Sequence, residues 1–198
     1  MSAPDRPPWS TKDRALIADL TFKSVLHAVR HNAPLPMVVA DCSAQLQAAG
    51  ACFVTLERAG QLRGCIGTIE ATRPLAEDLV HNAYAAALKD PRFPPVQEDE
   101  LDGLDISVSL LSAPEPVPAD DETDLQNALR PGCDGLIIAS ARGRATFLPA
   151  VWEQLPDPVD FLQQLKRKAG WAPRGWPRDA RAARYTVERI DTGKTVLP

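Results

Sequence analysis

The chain has 198 residues, with 22 basic and 26 acidic side chains and a net charge of −4. That length holds one large domain or two small interlocked ones, with a sizeable core in either case. The acidic balance excludes the overall positive field of a non-specific nucleic-acid or membrane binder, and no apolar run reaches membrane-spanning length.

Residues 1–11 read as an N-terminal tail, Pro-rich up to Trp9 and without the apolar segment of a signal peptide. Ser10 caps a helix, with Asp13 three residues on in capping-box position. Ala15, Ala18, Phe22, Val25 and Val29 mark its apolar face. Pro34 and Pro36 end that segment. Residues 39–49 read as a second helix closed by Gly50. The β-branched and aromatic run A-C-F-V-T-L-E, residues 51–57, is a strand. R-A-G-Q, 58–61, is a hairpin turn, and L-R-G-C-I-G-T-I returns as the partner strand. Pro74 opens a helix whose stripe is Leu75, Leu79, Asn82 or Ala83, and Ala86. D-P-R-F-P-P, 90–95, stops it. The alternation in L-D-I-S-V-S-L-L, 104–111, is the clearest half-buried strand in the chain.

Residues 113–118, A-P-E-P-V-P, form a stiff connector that can mark a subdomain boundary. A short helix at 122–130 follows, then a hairpin turning at A-R-G-R, 141–144. Next come a helix at 159–170, an irregular aromatic segment W-A-P-R-G-W-P, a strand at 183–190 and a tail at 193–198. Hairpins mixed with helices predict an α+β fold, with a largely antiparallel sheet and flanking helices.

The four cysteines, Cys42, Cys52, Cys65 and Cys133, form no C-x-x-C pair. With His27, His31 and His81 they give no zinc-ligand spacing. G-C-I-G is too short for a dinucleotide fingerprint and opens no helix. No cofactor or metal is expected from these patterns. A chain with unpaired thiols and no leader reads as cytoplasmic.

The hexapeptide L-R-G-C-I-G, Leu62 to Gly67, carries the main candidate chemistry. Gly64 and Gly67 leave the backbone open around Cys65, so a substrate can approach the thiol. On a flat strand Arg63 shares a face with Cys65, and an arginine favours the nucleophilic thiolate. Thr68 and Glu70 follow as binding groups, and Glu70 is a candidate base or orienting group if the strand bends. The packing alternative is that Cys65 is a small buried hydrophobe and the glycines admit the small-residue helix Ala83–Ala87. Arg92, clamped between prolines, suits a carboxylate or phosphate; its plain alternative is a surface ion pair with Asp90. Lys168 is a further binding candidate, although a lysine at a helix C-terminus also suits the helix dipole. Trp171 reads as core, His81 as a surface or capping-type contact, and Cys42, Cys52 and Cys133 as core or inert surface thiols.

L-R-G-C-I-G, D-P-R-F-P-P, I-S-V-S-L-L-S, A-T-F-L-P-A-V-W-E-Q-L-P and the K-A-G before Trp171 occur in that order. Together they resemble the AMMECR domain family, whose bacterial members are called AmmeMemoRadiSam system protein A. The resemblance spans residues 12–192. It implies a single domain of two α+β subdomains with a cleft near the hexapeptide. It also implies a Memo-like protein and a radical SAM enzyme as partners, the latter holding any iron–sulfur cluster. It carries no settled activity. Ala150 stands where many relatives have glutamine, and Lys166 where many have cysteine, so roles for those groups do not transfer. Three readings follow. In the first, a subunit of that system binds a small anionic or peptide-like substrate, with Cys65 as nucleophile. In the second, a non-catalytic scaffold uses the same groove. The third and weakest is nucleic-acid binding through Arg142, Arg144 and Lys166–Lys168.

Overall fold

The computed structural model describes residues 9–172 and 175–194. In chain order the elements are α1 (Thr11–His31), α2 (Ala44–Gln47), β1 (Ala49–Gly50), β2 (Cys52–Arg58), β3 (Gln61–Gly67), β4 (Arg73–Pro74), α3 (Leu75–Leu88), β5 (Leu104–Leu111), β6 (Glu115–Val117), α4 (Glu122–Ala128), β7 (Gly135–Ser140), β8 (Gly143–Phe147), α5 (Pro158–Lys168), β9 (Arg181–Tyr185) and β10 (Val187–Lys194). Short 3-10 turns lie at Val39–Asp41, Glu98–Glu100 and Pro149–Glu153. The fold is α+β. Among the described residues the strands form two four-stranded sheets and a small β1–β4 ribbon. The chain divides into two compact units, one running to Leu111 and resuming at Glu188, the other from Ser112 to Val187. No helix among the described residues is long and apolar enough to cross a membrane.

The first unit is built on the sheet β10-β5-β2-β3, with β2 antiparallel to both β3 and β5. The turn between β2 and β3 places Ala59 and Gly60 at φ of 51° and 75°, the left-handed pair that matches strand twist in a two-residue hairpin. Cys52, Val54 and Leu56 point into the core against Leu75, Leu79, Ala83 and Ala86 of α3. Those four positions are the stripe expected from sequence. Trp9, read as tail, is a core residue with 7% of its surface exposed.

Ser10 caps α1 as expected, its hydroxyl accepting the Asp13 N–H at 3.0 Å. The expected face of α1 is met in part: Val25 is buried, Ala18, Phe22 and Val29 are partly buried against the core, and Ala15 is exposed. The fully buried face runs through Ile17, Leu20, Thr21, Ser24, Val25 and Ala28. Thr21 and Ser24 can be buried because their hydroxyls donate back to Ile17 O and Leu20 O, at 2.7 and 2.6 Å. A search for apolar spacing passes over them. The helix expected at 39–49 is reduced to the Val39–Asp41 turn and the four-residue α2. Gly50 does not cap it but pairs with Arg73 in the ribbon. A Cβ at Gly50 would lie 2.8 Å from Leu75 Cβ, so this glycine serves the approach of α3.

The second unit is built on the sheet β6-β9-β7-β8, with α4 and α5 contributing Leu125, Phe161, Leu162 and Leu165 to its core. Trp152 stacks on Phe161 with ring centroids 3.8 Å apart. Trp171 is core, as read, and donates to Gly143 O at 3.1 Å. Lys166 is fully buried and paired with Glu122, a short ionic contact between α5 and α4. The strand expected at 183–190 is two strands. β9 ends at Tyr185 and β10 begins at Val187, each in a different sheet. Thr186 between them belongs to neither and accepts the Ser112 N–H at 2.9 Å. Of the expected tails, residues 1–8 and 195–198 lie outside the described residues; Gly193 and Lys194 belong to β10.

Candidate functional site

The hexapeptide lies on β3, the edge strand of the first unit's sheet. Its register carries a bulge. Leu56 pairs with Gly64 but Glu57 pairs with Leu62, so Arg63 is the extra residue. The flat-strand expectation that Arg63 and Cys65 share a face therefore fails, because a bulge breaks the alternation. The Arg63 guanidinium forks onto Glu100, with Nε–Oε1 and Nη2–Oε2 both 2.8 Å, and its Nη1 donates to Pro94 O at 2.9 Å. It holds the 94–100 loop against the strand.

A second clamp grips Cys65 itself. The Cys65 N–H donates to Asp90 Oδ2 at 2.8 Å, and Arg92 Nη2 donates to Cys65 O at 3.0 Å. Arg92 also forks onto Asp90, Nε–Oδ1 at 2.9 Å and Nη2–Oδ2 at 2.6 Å. Asp90 and Arg92 thus take up the edge groups that an adjacent strand would use, and they block strand addition at this point. The ion pair anticipated for these two residues exists, but it is not a surface pair. The Asp90 side chain is 2% exposed while that of Arg92 is 53% exposed.

These contacts set the charges. The Arg92 guanidinium, with the N–H groups of Cys65 and Arg92, holds the Asp90 carboxyl well below the ordinary range. Arg63 pushes Glu100 down from 4.5 to about 2. Arg92 is raised, by Asp90 first and further by the Cys65 sulfur. A carboxylate whose folded pKa is depressed contributes stability that is full above its unfolded pKa and is lost as pH falls through the folded one. For Glu100 that window runs from about 4.5 down to about 2. Glu100→Gln is therefore expected to flatten the acid limb of stability against pH, by on the order of 2 kcal/mol between pH 5 and pH 2. Urea unfolding at stepped pH measures this, and parallel curves for parent and variant would reject it.

The close approaches at the two glycines are taken by the protein. A Cβ on Gly64 would lie 2.3 Å from Ala86 O of α3. One on Gly67 would lie 2.2 Å from Phe53 Cγ and 2.6 Å from Cys52 O. Cys65 is half-buried on the other face of the strand, where the Thr55 hydroxyl donates to its sulfur at 3.4 Å. Thr55 also pairs with Ser107 on β5.

Thr68, just past the hexapeptide, enters a second polar cluster that sequence reasoning did not find. Its hydroxyl donates to Asp78 Oδ2 at 2.5 Å and its N–H to Cys52 O at 3.0 Å. The same Asp78 oxygen accepts from the Cys52 N–H at 3.1 Å and from Asn82 Nδ2 at 2.9 Å, and Arg73 Nε lies 3.4 Å from Oδ1. Burial, with the Asp78 charge behind it, pushes the Cys52 thiol well up. Glu70 is exposed. Lys168 belongs to the second unit, where it donates to Thr146 O at 3.1 Å and lies over the Phe147 ring. No group of three or more His, Cys, Asp or Glu side chains among the described residues is placed to hold a metal ion. Glu100 and Asp78 escaped the sequence reading, and Asp90, at the head of D-P-R-F-P-P, was read only as a surface partner of Arg92.

The AMMECR1 family model matches residues 18–190, a span that includes both clamps. A protein of Methanothermobacter thermautotrophicus is 44% identical over 122 residues, 61% of this chain and 64% of that one. The aligned part thus spans less than two thirds of that relative. A protein of Thermofilum pendens is 35% identical over 178 residues, 84% of this chain and 83% of its own. The crystal structure of the uncharacterised protein PH0010 from Pyrococcus horikoshii superimposes with a TM-score of 0.79 at 29% identity, covering 88% of this chain and 89% of that one. With the match running from α1 to β10 through the hexapeptide, this chain belongs to the AMMECR1 family.

Proposed function

We propose that the chain is a partner-binding subunit that works with a Memo-like protein and a radical SAM enzyme. It presents the surface around Cys65 and Arg92, and Cys65 is a packing and contact residue there. The observation that carries this reading is the saturation of the motif. Arg63 is committed to Glu100 and Pro94, Arg92 to Asp90 and Cys65 O, and the gap at Gly64 to α3. Groups already satisfied within the fold make a stiff surface rather than a site waiting for a substrate. Arg92 is half exposed, and its Nη1, which is outside those bonds, is suited to anchoring a partner carboxylate.

The test measures binding of both partners by titration calorimetry. Cys65→Ser is expected to keep affinity within about twofold, and Arg92→Ala to weaken it by more than about tenfold. Loss of binding in Cys65→Ser, or unchanged binding in Arg92→Ala, overturns the reading. One observation favours a second reading, in which Cys65 is a nucleophile toward an anionic or peptide-like substrate. The Arg92 guanidinium donates to Cys65 O at 3.0 Å, which sets a cation beside the residue that carries the thiol. Under that reading Cys65→Ser keeps partner affinity and abolishes turnover by the assembled proteins.

A further inference from the structure

The second unit carries a concavity of about 570 Å³ beside the turn of its β7–β8 hairpin. Its lining includes Ala139, Ser140, Ala141, Arg178, Asp179 and Arg181. We propose that it is an anion site for the phosphate group of a phosphorylated small molecule, held by Arg178 and Arg181. The proposal is independent of the hexapeptide and of the partner-binding reading.

Three observations carry it. First, the floor is made of small residues, and Ala139 sits directly opposite Arg181 in the β7–β9 register. A methyl group beside an arginine leaves the volume that forms the hollow. Its size falls in the range of small-molecule sites, which run from about 300 to 1,000 Å³. Second, the rim is fixed. Asp179 Oδ2 accepts the Ala141 N–H at 2.6 Å, and Ser140 Oγ accepts the Arg142 N–H at 3.1 Å. The first bond ties the hairpin turn to the 178–181 segment, and the second braces the turn itself. Third, Arg178 and Arg181 are exposed and form no ion pair among the described residues, whereas Arg63, Arg92 and Arg130 each fork onto a carboxylate. Two arginines against one aspartate leave the lining one positive charge in excess. Guanidinium forks match phosphate oxygens bidentately, so two of them on one hollow suit a phosphate dianion better than a single carboxylate.

The test uses the full chain and pyrophosphate as the probe, titrated calorimetrically at constant ionic strength. Saturable binding at one site is expected. Arg178→Gln and Arg181→Gln are each expected to weaken it by more than about tenfold, since each removes one charged fork. Asp179→Asn removes the opposing charge while keeping an acceptor for the Ala141 N–H, and is expected to tighten binding by about threefold. Arg30→Gln on α1, in the first unit, is the control and leaves binding unchanged. Absence of saturable binding up to about 10 mM, the weak end of phosphate-group recognition, overturns the proposal. So does undiminished binding in an Arg178→Gln/Arg181→Gln protein that melts like the parent, or weaker binding in Asp179→Asn.

Discussion

Gly64→Ala is expected to destabilise the first unit by roughly 3 kcal/mol or more, a large share of the stability of a small domain. The new methyl would sit 2.3 Å from Ala86 O, and the atom in its way is backbone. A flexible side chain could swing aside, but a carbonyl inside α3 is held in the helix. Relief requires α3 to move off the hairpin, which opens the contact of Ala83 and Ala86 with Val54 and Leu56. Ala86→Gly should not rescue the variant, because it removes a side chain and leaves the carbonyl in place. Gly67→Ala makes a useful contrast. Its methyl meets the Phe53 ring at 2.2 Å and Cys52 O at 2.6 Å, so Phe53→Ala should recover part of the loss but not all. Urea unfolding of the four variants decides the matter. If Gly64→Ala unfolds within about 1 kcal/mol of the parent, the glycine is not a packing device and its conservation of space must serve a ligand.

That result bears on how much of this molecule its sequence shows. The two-residue hairpin, the strand at 104–111 and the stripe of α3 are local patterns, and each is found where the residue types place it. So is the packing role for Gly64, because four small residues on α3 advertise a close approach. The clamps are another matter. Arg63 meets Glu100 across 37 residues, and Cys65 meets Asp90 across 25. An arginine in a sequence announces a charge but not its partner, and the partner decides whether that charge faces a substrate or a loop. The bulge at Arg63 is signalled only loosely, since a glycine in a strand marks either a bulge or a close helix approach and does not say which. Thr21 and Ser24 of α1 went unread for the opposite reason. Their burial depends on bonds back to their own helix, which a polarity pattern counts as exposure.

Asp78→Ala is expected to cost roughly 3 to 4 kcal/mol, because it strips the acceptor from donors that have been withdrawn from water. The carboxylate is 1% exposed, and its Oδ2 accepts from the Cys52 N–H, the Thr68 hydroxyl and Asn82 Nδ2. Arg73 also loses its counter-charge, but at 35% exposure it can rehydrate and adds little. Asn82 keeps one partner through Cys52 O, so the full penalty falls on the Cys52 N–H and, to the extent that it cannot turn to water, on Thr68. Asp78→Asn retains a carbonyl oxygen but sets an amide N–H₂ among donors, and an intermediate loss of about 2 kcal/mol is expected. The Cys52 thiol reports the event locally. It is fully buried in the parent and pushed up by burial and by Asp78. Its alkylation therefore follows opening of the unit, and should accelerate in Asp78→Ala by the same factor as the unfolding equilibrium, on the order of a hundredfold or more. A stable Asp78→Ala protein with Cys52 still protected would mean that the cluster is not needed to hold the exit of β3. The aspartate would then be there for the Thr68 hydroxyl, one residue beyond the hexapeptide, and Thr68 would become the group to test for chemistry.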